Sequence, residues 1–251
     1  MSTDNKNILV LFDIDGTLTE PMCKIDKQML NKLQQLRNNV VLGVVGGSDV
    51  AKGKNQLGDH IFDLFDYYFP QNGLQAYEGR TLIHDQSLIH FLGEESIERV
   101  IKCALYYIAD LDIPKMGGTF VEQRSGMINI CPVGRNCTQS ERNEFSAFDE
   151  VQHIRLKMVE YLKHELSDLN LRFVIGGQIS IDVFPMGWDK TYCLQHVKHR
   201  NFEKIYFFGD KTEPGENDYE IYTSDQTIGY KVKGPSDTMR LLDEIFFNID
   251  S

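Results

Sequence analysis

Long hydrophobic runs and positive charge are both scarce in this 251-residue sequence. The first apolar stretch, residues 8–12, is too short for a membrane span or a signal-peptide core and runs directly into acidic residues. The chain has 26 Lys and Arg against 37 Asp and Glu, a formal net charge of −11. Nucleic acids and anionic membranes are bound by clustered cations, so we expect neither as a partner.

Cysteine is also sparse and without pattern. The five cysteines are widely spaced and include no Cys-x-x-Cys pair: Cys23, Cys103, Cys131, Cys137 and Cys193. This arrangement favours neither a disulfide framework nor a zinc site, and it indicates a reducing, cytoplasmic environment. The hydrophobic fraction of 41% is enough for a globular core in one large domain or two smaller ones.

Strand and helix patterns alternate through the first third of the chain. Apolar runs of strand length are separated by segments whose apolar residues recur at helical spacing. Such alternation predicts an α/β fold with a Rossmann-like parallel sheet, in which ligands bind beyond the carboxyl ends of the strands. The predicted elements are strands at residues 7–12, 40–45 and 67–69, helices at 27–36 and 49–57 with Ser48 or Asp49 as N-cap, and a hairpin at 74–77 and 81–83.

A different pattern interrupts this alternation and then gives way to it again. A helix, two strands, a second helix and two more strands are typical of an α+β domain. The sequence therefore predicts a core domain of residues 1–84 and 187–251, interrupted by an α+β cap domain of residues 85–186. The predicted cap helices are residues 96–111 and 140–166, with strand pairs around 125–126 and 176–177. The core resumes with a strand at 204–208 and a helix at 236–247.

Two carboxylates, Asp13 and Asp15, follow the first predicted strand in the string Asp-Ile-Asp-Gly-Thr-Leu-Thr. In an extended segment their side chains would point to opposite sides, so the loop must curl for both to serve one site, and Gly16 permits that curl. A capped turn is the alternative interpretation. An apolar strand followed by D-x-D-G-T-L resembles the first motif of the haloacid dehalogenase (HAD) superfamily, which implies that Asp13 is a nucleophile and Asp15 a general acid and base.

The remaining motifs of that superfamily follow in order. Ser48, after Gly-Gly, matches the hydroxyl that donates to a phosphoryl oxygen, and Lys190 matches the cation that neutralises phosphate and nucleophile. Asp210 and Asp218 match the metal-binding carboxylates. Oxygen donors without Cys or His indicate Mg²⁺, with Asp13, the Asp15 carbonyl and Asp210 as its expected ligands. Receiver-type signalling domains also carry a phosphorylatable Asp, but they lack an inserted domain and the D-x-D-G-T string.

Nearly the whole chain, including the inserted segment, resembles the eukaryotic phosphomannomutase family. The matching strings are Gly-Thr-Phe-Val-Glu from residue 118, Pro-Val-Gly-Arg from 132 and Gly-Gly-Gln-Ile-Ser-Ile-Asp-Val-Phe-Pro from 176. This resemblance implies a mobile cap that grips the distal phosphate of a sugar while the core works on the other phosphate. The residues it implies are Arg124, Arg135 and Arg142 for the phosphate, Ser180 and Asp182 for sugar hydroxyls, and Tyr222, Asp225 and Thr227 for a second cation.

The same resemblance implies the reaction. Mannose 6-phosphate and mannose 1-phosphate would be interconverted through a hexose 1,6-bisphosphate that primes Asp13, supplying mannose 1-phosphate for GDP-mannose synthesis, in a homodimer joined through the cap. Two residues depart from the family pattern: Met22 replaces a substrate-contacting Arg, and Glu216 replaces a Gly. A HAD-type sugar-phosphate phosphatase shares every core motif and stays the alternative, with a catalytically idle binding protein as a third class.

Overall fold

Residues 6–58 and 61–247 are described by the computed structural model, which divides the chain into two units. One unit comprises Met1–Asp85 and Gly187–Ser251, and the other comprises Gln86–Met186. The predicted domain junctions lie within one residue of these boundaries. The catalytic and recognition roles assigned to the two domains stay predictions.

The described elements are eleven strands and nine α-helices. The strands are β1 (Ile8–Phe12), β2 (Val41–Val45), β3 (Tyr67–Phe69), β4 (Gln75–Glu78), β5 (Thr81–Asp85), β6 (Val121–Gln123), β7 (Ile128–Ile130), β8 (Leu171–Gly176), β9 (Ser180–Pro185), β10 (Lys204–Gly209) and β11 (Ile228–Lys231). The helices are α1 (Lys27–Leu36), α2 (Val50–Leu57), α3 (Ile61–Leu64), α4 (Leu88–Leu92), α5 (Glu94–Ala109), α6 (Gln139–Gln152), α7 (Ile154–Glu165), α8 (Tyr219–Tyr222) and α9 (Pro235–Leu242).

The first unit is built on a seven-stranded sheet in the order β11-β10-β1-β2-β3-β4-β5. The five strands from β11 to β3 are parallel, and β4 and β5 extend the sheet antiparallel. Alternate residues of β1 enter opposite cores: Val10 and Phe12 pack in one cluster, Leu9 and Leu11 in the other. A central parallel strand must be apolar on both faces, which explains its continuous hydrophobic run.

The second unit carries a four-stranded antiparallel sheet in the order β6-β7-β9-β8. Helices α5 and α7 pack against each other, and α7 also packs on β8 and β9. The predicted α/β core with an inserted α+β domain is therefore the observed fold class.

The prediction of one helix over residues 140–166 is wrong, because His153 separates α6 from α7. His153 has a left-handed backbone (φ 54°, ψ 41°). The backbone amide of Arg155 donates to Asp149 Oδ1 at 2.8 Å, and its side chain pairs with the same carboxylate. Neither Gly nor Pro stands between residues 149 and 155, so the sequence offers no breaker to reveal the turn.

Other predicted boundaries shift by a few residues. Helix α5 begins and ends two residues before its prediction, and the short helix α4 precedes it unpredicted. The last predicted helix, 236–247, consists of α9 followed by a π-helical segment at Asp243–Phe247. Asp49 rather than Ser48 caps α2, since its carboxylate accepts from the amide of Lys52 at 2.9 Å.

Candidate active site

The carboxyl ends of two neighbouring strands place the central carboxylates. Asp13 follows β1 and Asp210 follows β10, and these strands pair with Phe12 opposite Phe208. The amide of Asp13 donates to the carbonyl of Phe208 at 2.9 Å. Asp218 reaches the same region from the next loop, where its Oδ2 accepts from the amide of Lys211 at 3.1 Å.

These three carboxylates form a cluster. One oxygen each from Asp13, Asp210 and Asp218 lies within 4.8 Å of the others, and Asp13 and Asp218 are buried. Two glycines allow this approach: a Cβ on Gly16 (φ +76°) would stand 2.4 Å from Asp210 Oδ2, and one on Gly209 would stand 2.6 Å from Asp218 Oδ2. Any side chain at either position would push a carboxylate away.

Lys190 is buried inside this cluster. Its ammonium group donates to Asp13 and to Asp218, and it starts a 3₁₀-helix (Lys190–His196) that Asp189 caps. Burial disfavours the charged form of Lys190, but the two carboxylates outweigh it and raise the pKa of Lys190. Lys190 is therefore a fixed cation directly beside Asp13.

The electrostatics of the cluster favour a further positive charge. Burial raises the pKa of Asp13 to about 6, against the lowering effect of Lys190, and the charge of Asp218 adds to the rise. Burial and Asp218 likewise raise the pKa of Asp210. Lys190 bonds only two of the three carboxylates, Asp13 and Asp218, so a divalent cation would further stabilise the ionised forms of the cluster. The donor set of carboxylate oxygens fits Mg²⁺.

Asp15 is held by the backbone amide of Met22 and by two side chains that the sequence did not reveal as site residues, Lys52 and Gln56. Its Oδ1 accepts from the amide of Met22 at 2.8 Å and from Gln56 Nε2 at 2.6 Å, and its Oδ2 accepts from Lys52 Nζ at 3.2 Å. Burial acts to raise the pKa of Asp15, but these hydrogen bonds outweigh it and lower that pKa. Helix α2 thus supplies two side chains, Lys52 and Gln56, that fix the predicted acid and base.

Ser48 lies in the loop after β2, at the same edge of the sheet as Asp13. Its carbonyl accepts from the amide of Gln71 at 2.9 Å. Asn72 connects this loop to the segment that carries Lys190: its amide donates to the carbonyl of Gly46 at 2.9 Å, and its Nδ2 donates to the carbonyl of Trp188 at 3.2 Å. Asn72 has a left-handed backbone (φ 61°).

The predicted substrate residues of the inserted unit form a second group. Arg124 Nη2 and Arg135 Nε lie 2.7 and 3.0 Å from Glu122 Oε2, and Arg142 Nη2 donates to the carbonyl of Arg135 at 3.2 Å. Ser180 and Asp182 lie on β9, where Ser180 Oγ donates to the carbonyl of Gly176 at 3.2 Å and Asp182 Oδ1 accepts from Asn129.

The predicted second cation site falls in one turn between α8 and β11. Tyr222 ends α8, the Asp225 side chain is exposed, and the hydroxyl of Thr227 donates to the carbonyl of Ile221. This hydrogen bond serves the turn itself, so a cation site here stays a prediction.

Met22 and Glu216, the two residues that depart from the family pattern, both take part in hydrogen bonds within their own loops. Met22 is 75% exposed and has a left-handed backbone (φ 63°). Its backbone amide donates a hydrogen bond to Asp15 Oδ1. The carboxylate of Glu216 accepts from the amide of Glu213 at 2.8 Å and so caps its own turn.

Solved structures with a similar fold include two sugar-phosphate phosphatases. A trehalose-6-phosphate phosphatase from Aspergillus fumigatus matches with a TM-score of 0.61 and 15% identity, covering 95% of this chain and 92% of that one. A subclass IIB sugar phosphatase of the HAD superfamily matches with a TM-score of 0.59 and 14% identity, covering 94% and 98%. The α/β fold with its inserted unit is thus that of the HAD superfamily.

Sequence comparison defines the family to which the chain belongs. The profile described as eukaryotic phosphomannomutase matches residues 29–248. Phosphomannomutases of Galdieria sulphuraria and Schizosaccharomyces pombe are 55% and 53% identical, each covering 95% of this chain and 94% of the relative. That of Saccharomyces cerevisiae is 51% identical over the same shares. The chain belongs to the eukaryotic phosphomannomutase family, and it is an enzyme.

Proposed function

We propose that the protein interconverts mannose 6-phosphate and mannose 1-phosphate through a phosphoryl group carried on Asp13. The observation that carries this proposal is the buried Asp13 carboxylate, paired with Lys190 inside a carboxylate cluster at the carboxyl edge of the sheet. Family membership supplies the substrate class.

Asp13 begins the reaction as the nucleophile. One of its oxygens forms a bond to the phosphorus of a hexose 1,6-bisphosphate while the bond from that phosphorus to the sugar oxygen breaks. Asp15 protonates the departing sugar oxygen and takes a proton from the next sugar hydroxyl, which then attacks the acyl phosphate. Ser48 and Lys190 bind the phosphoryl oxygens.

A Mg²⁺ ion fits the oxygen donors of Asp13, Asp210, Asp218 and the Asp15 carbonyl. When bound, it would screen the repulsion between the anionic nucleophile and the anionic phosphate. Lys190 contributes to the same screening from a fixed position, because it is buried and bonded to two of the carboxylates.

Recognition of the distal phosphate is assigned to the inserted unit. Arg124, Arg135 and Arg142 are guanidinium groups concentrated in one region of an acidic protein, and guanidinium binds phosphate through two parallel hydrogen bonds. Ser180 and Asp182 would contact sugar hydroxyls. Mannose 1-phosphate made in this way would supply GDP-mannose synthesis in the cytoplasm, where the five free cysteines would stay reduced.

A homodimer through the inserted unit is part of the proposal. Helix α5 exposes 73% of Tyr106 and 43% of Leu105, and adjacent exposed apolar side chains are typical of an interface. Sedimentation velocity should give a dimer for the wild type and a monomer for Tyr106→Asp. A monomeric wild type would contradict this assignment.

Isomerisation and hydrolysis are separated by one assay. Mannose 1-phosphate is supplied with and without a catalytic amount of glucose 1,6-bisphosphate, and mannose 6-phosphate and free phosphate are measured separately. A mutase gives bisphosphate-stimulated mannose 6-phosphate. Free phosphate as the main product under both conditions would identify a sugar-phosphate phosphatase instead.

A further inference from the structure

A row of polar side chains crosses the sheet of the inserted unit. In the strand register Glu122 of β6 faces Asn129 of β7, and Asn129 faces Asp182 of β9. Residues directly opposite each other in neighbouring strands share one face of the sheet and lie close enough to interact. Asn129 is the central member and is only 2% exposed. A buried amide is costly unless both of its ends are hydrogen-bonded.

Both ends of the Asn129 amide are bonded, each to a charged group. Its Nδ2 donates to Asp182 Oδ1 at 2.6 Å, and its Oδ1 accepts from Arg135 Nη1 at 2.7 Å. A guanidinium only donates and an ionised carboxylate only accepts, so the two partners determine which way the amide points. An ionised Asp or Glu in place of Asn129 could not donate to Asp182. A Lys in its place could not accept from Arg135.

Glu122 holds the same guanidinium from its other side. Its Oε2 lies 3.0 Å from Arg135 Nε and 2.7 Å from Arg124 Nη2. The head group of Arg135 is therefore fixed by Asn129 at Nη1 and by Glu122 at Nε, while Arg142 holds its carbonyl. Among the hydrogen bonds of the described residues, none uses Nη2 of Arg135.

We propose that Asn129 is a positioning residue that couples phosphate recognition at Arg135 to hydroxyl recognition at Asp182. This inference rests on the proposed function of those two residues. Asn129 does not touch the substrate. It sets the spacing between a guanidinium and a carboxylate, so that a sugar must present its phosphate and its hydroxyl at that same spacing.

The substitution Asn129→Asp tests the coupling with almost no change of shape. The new side chain can still accept from Arg135, but it cannot donate to Asp182 and places a second carboxylate beside it. We expect the KM for mannose 1-phosphate to rise about ten-fold, as for loss of a hydrogen bond to a charged group. Hydrolysis of acetyl phosphate, which has neither sugar nor distal phosphate, should stay within about two-fold. Asn143→Asp, on the exposed side of α6, is the matched control.

The double variant Asn129→Asp/Asp182→Asn exchanges donor and acceptor between the two strands. It restores the hydrogen bond and the original charge, so its KM should fall below that of Asn129→Asp, and it remains available if the single variant does not fold. An unchanged KM in Asn129→Asp, an equal loss on acetyl phosphate, or a double variant no better than the single one would overturn the proposal. If the wild type only hydrolyses mannose 1-phosphate, the mutase assignment fails, while the same KM comparison still tests Asn129.

Discussion

Met22 occupies a position at which the resemblance to the family implies an arginine that contacts substrate. Its side chain is 75% exposed, so a longer side chain can be accommodated there without repacking. An arginine would add a charge-assisted hydrogen bond of roughly 1.5 to 3 kcal/mol, which is about ten-fold or more in binding. We expect Met22→Arg to lower the KM for mannose 1-phosphate and raise kcat/KM, with little change in Tm.

Lys24 is the second residue of this loop that the experiment tests. It lies two residues further along the same loop and could supply part of the missing charge, although an ammonium lacks the planar fork of a guanidinium. Steady-state kinetics of Met22→Arg, Lys24→Ala and the double variant decide the question. If both single variants leave kcat/KM unchanged, this loop does not contact the substrate.

The sequence located the residues that stand at strand ends and missed those that support them. Asp13 and Asp210 could be placed because a carboxylate after an apolar parallel strand lies at the ligand-binding edge of the sheet. Lys52 and Gln56 bond Asp15 from 37 and 41 residues away, and Asn72 bonds Trp188 across 116 residues. Such contacts depend on how elements pack, and no local spacing encodes them.

At the scale of elements, one buried ion pair spans the break between α6 and α7. The side chains of Arg155 and Asp149 are 10% and 9% exposed, and Arg155 Nη1 also donates to the carbonyl of Gly177 at 3.0 Å in the turn before β9. This pair is a tertiary interaction that accompanies the change from the one predicted helix to two. Local propensity could not reveal it, since the competing interaction is tertiary.

Arg155→Ala should destabilise the protein by about 3 to 5 kcal/mol, because it leaves Asp149 buried without its partner. Urea unfolding of the full chain measures the change. Arg99→Ala is the matched control, since it breaks an exposed ion pair with Asp168 in the same unit, where water replaces the lost partner. Equal losses in the free energy of unfolding from the two substitutions would show that burial does not make the Arg155–Asp149 pair more important for stability than the exposed pair.

Two histidines join β5 to the 3₁₀-helix that carries Lys190. The ring centroids of His84 and His196 are 4.6 Å apart. His84 Nε2 lies 3.2 Å from the hydroxyl oxygen of Tyr192, and His196 Nε2 lies 2.8 Å from the carbonyl oxygen of Gly73. Burial lowers the pKa of both, although Asp85 acts to raise that of His84 and the Gly73 bond to raise that of His196. Both rings are therefore harder to protonate in the folded protein than in the unfolded chain.

The stability of the protein should accordingly fall at acid pH. The contribution of the neutral rings is fully present above the unfolded histidine pKa of 6.5, and it is lost as the pH falls from there through the lowered folded values. In urea unfolding between pH 7.5 and 5, we expect His84→Gln and His196→Gln to flatten the pH dependence. The exposed His199→Gln should not; a slope equal to wild type in all three variants would rule out this cluster as the source.

For the whole molecule, a net charge of −11 limits where anionic substrates can bind. The cations assigned to phosphate are few and local: Lys190 in the first unit and the arginines around Glu122 in the second. The sequence predicted this division because the interruption of one element pattern by another is visible along the chain. It could not predict that Glu122 and Asn129 bond to the arginines, since these contacts depend on the strand register in the folded sheet.

The central claim is that Asp13 carries the phosphoryl group, and direct labelling tests it. The protein is mixed with [³²P]glucose 1,6-bisphosphate and Mg²⁺, quenched in acid within milliseconds, and the labelled peptide is identified. Wild type should carry label on the peptide of Asp13 that hydroxylamine releases, as expected for an acyl phosphate, and Asp13→Asn should carry none. Asp49→Asn, the same exchange at the carboxylate that caps α2, where the amide oxygen can still accept from Lys52, is the matched control and should keep the label. Hydroxylamine-sensitive label that persists in Asp13→Asn would contradict the mechanism.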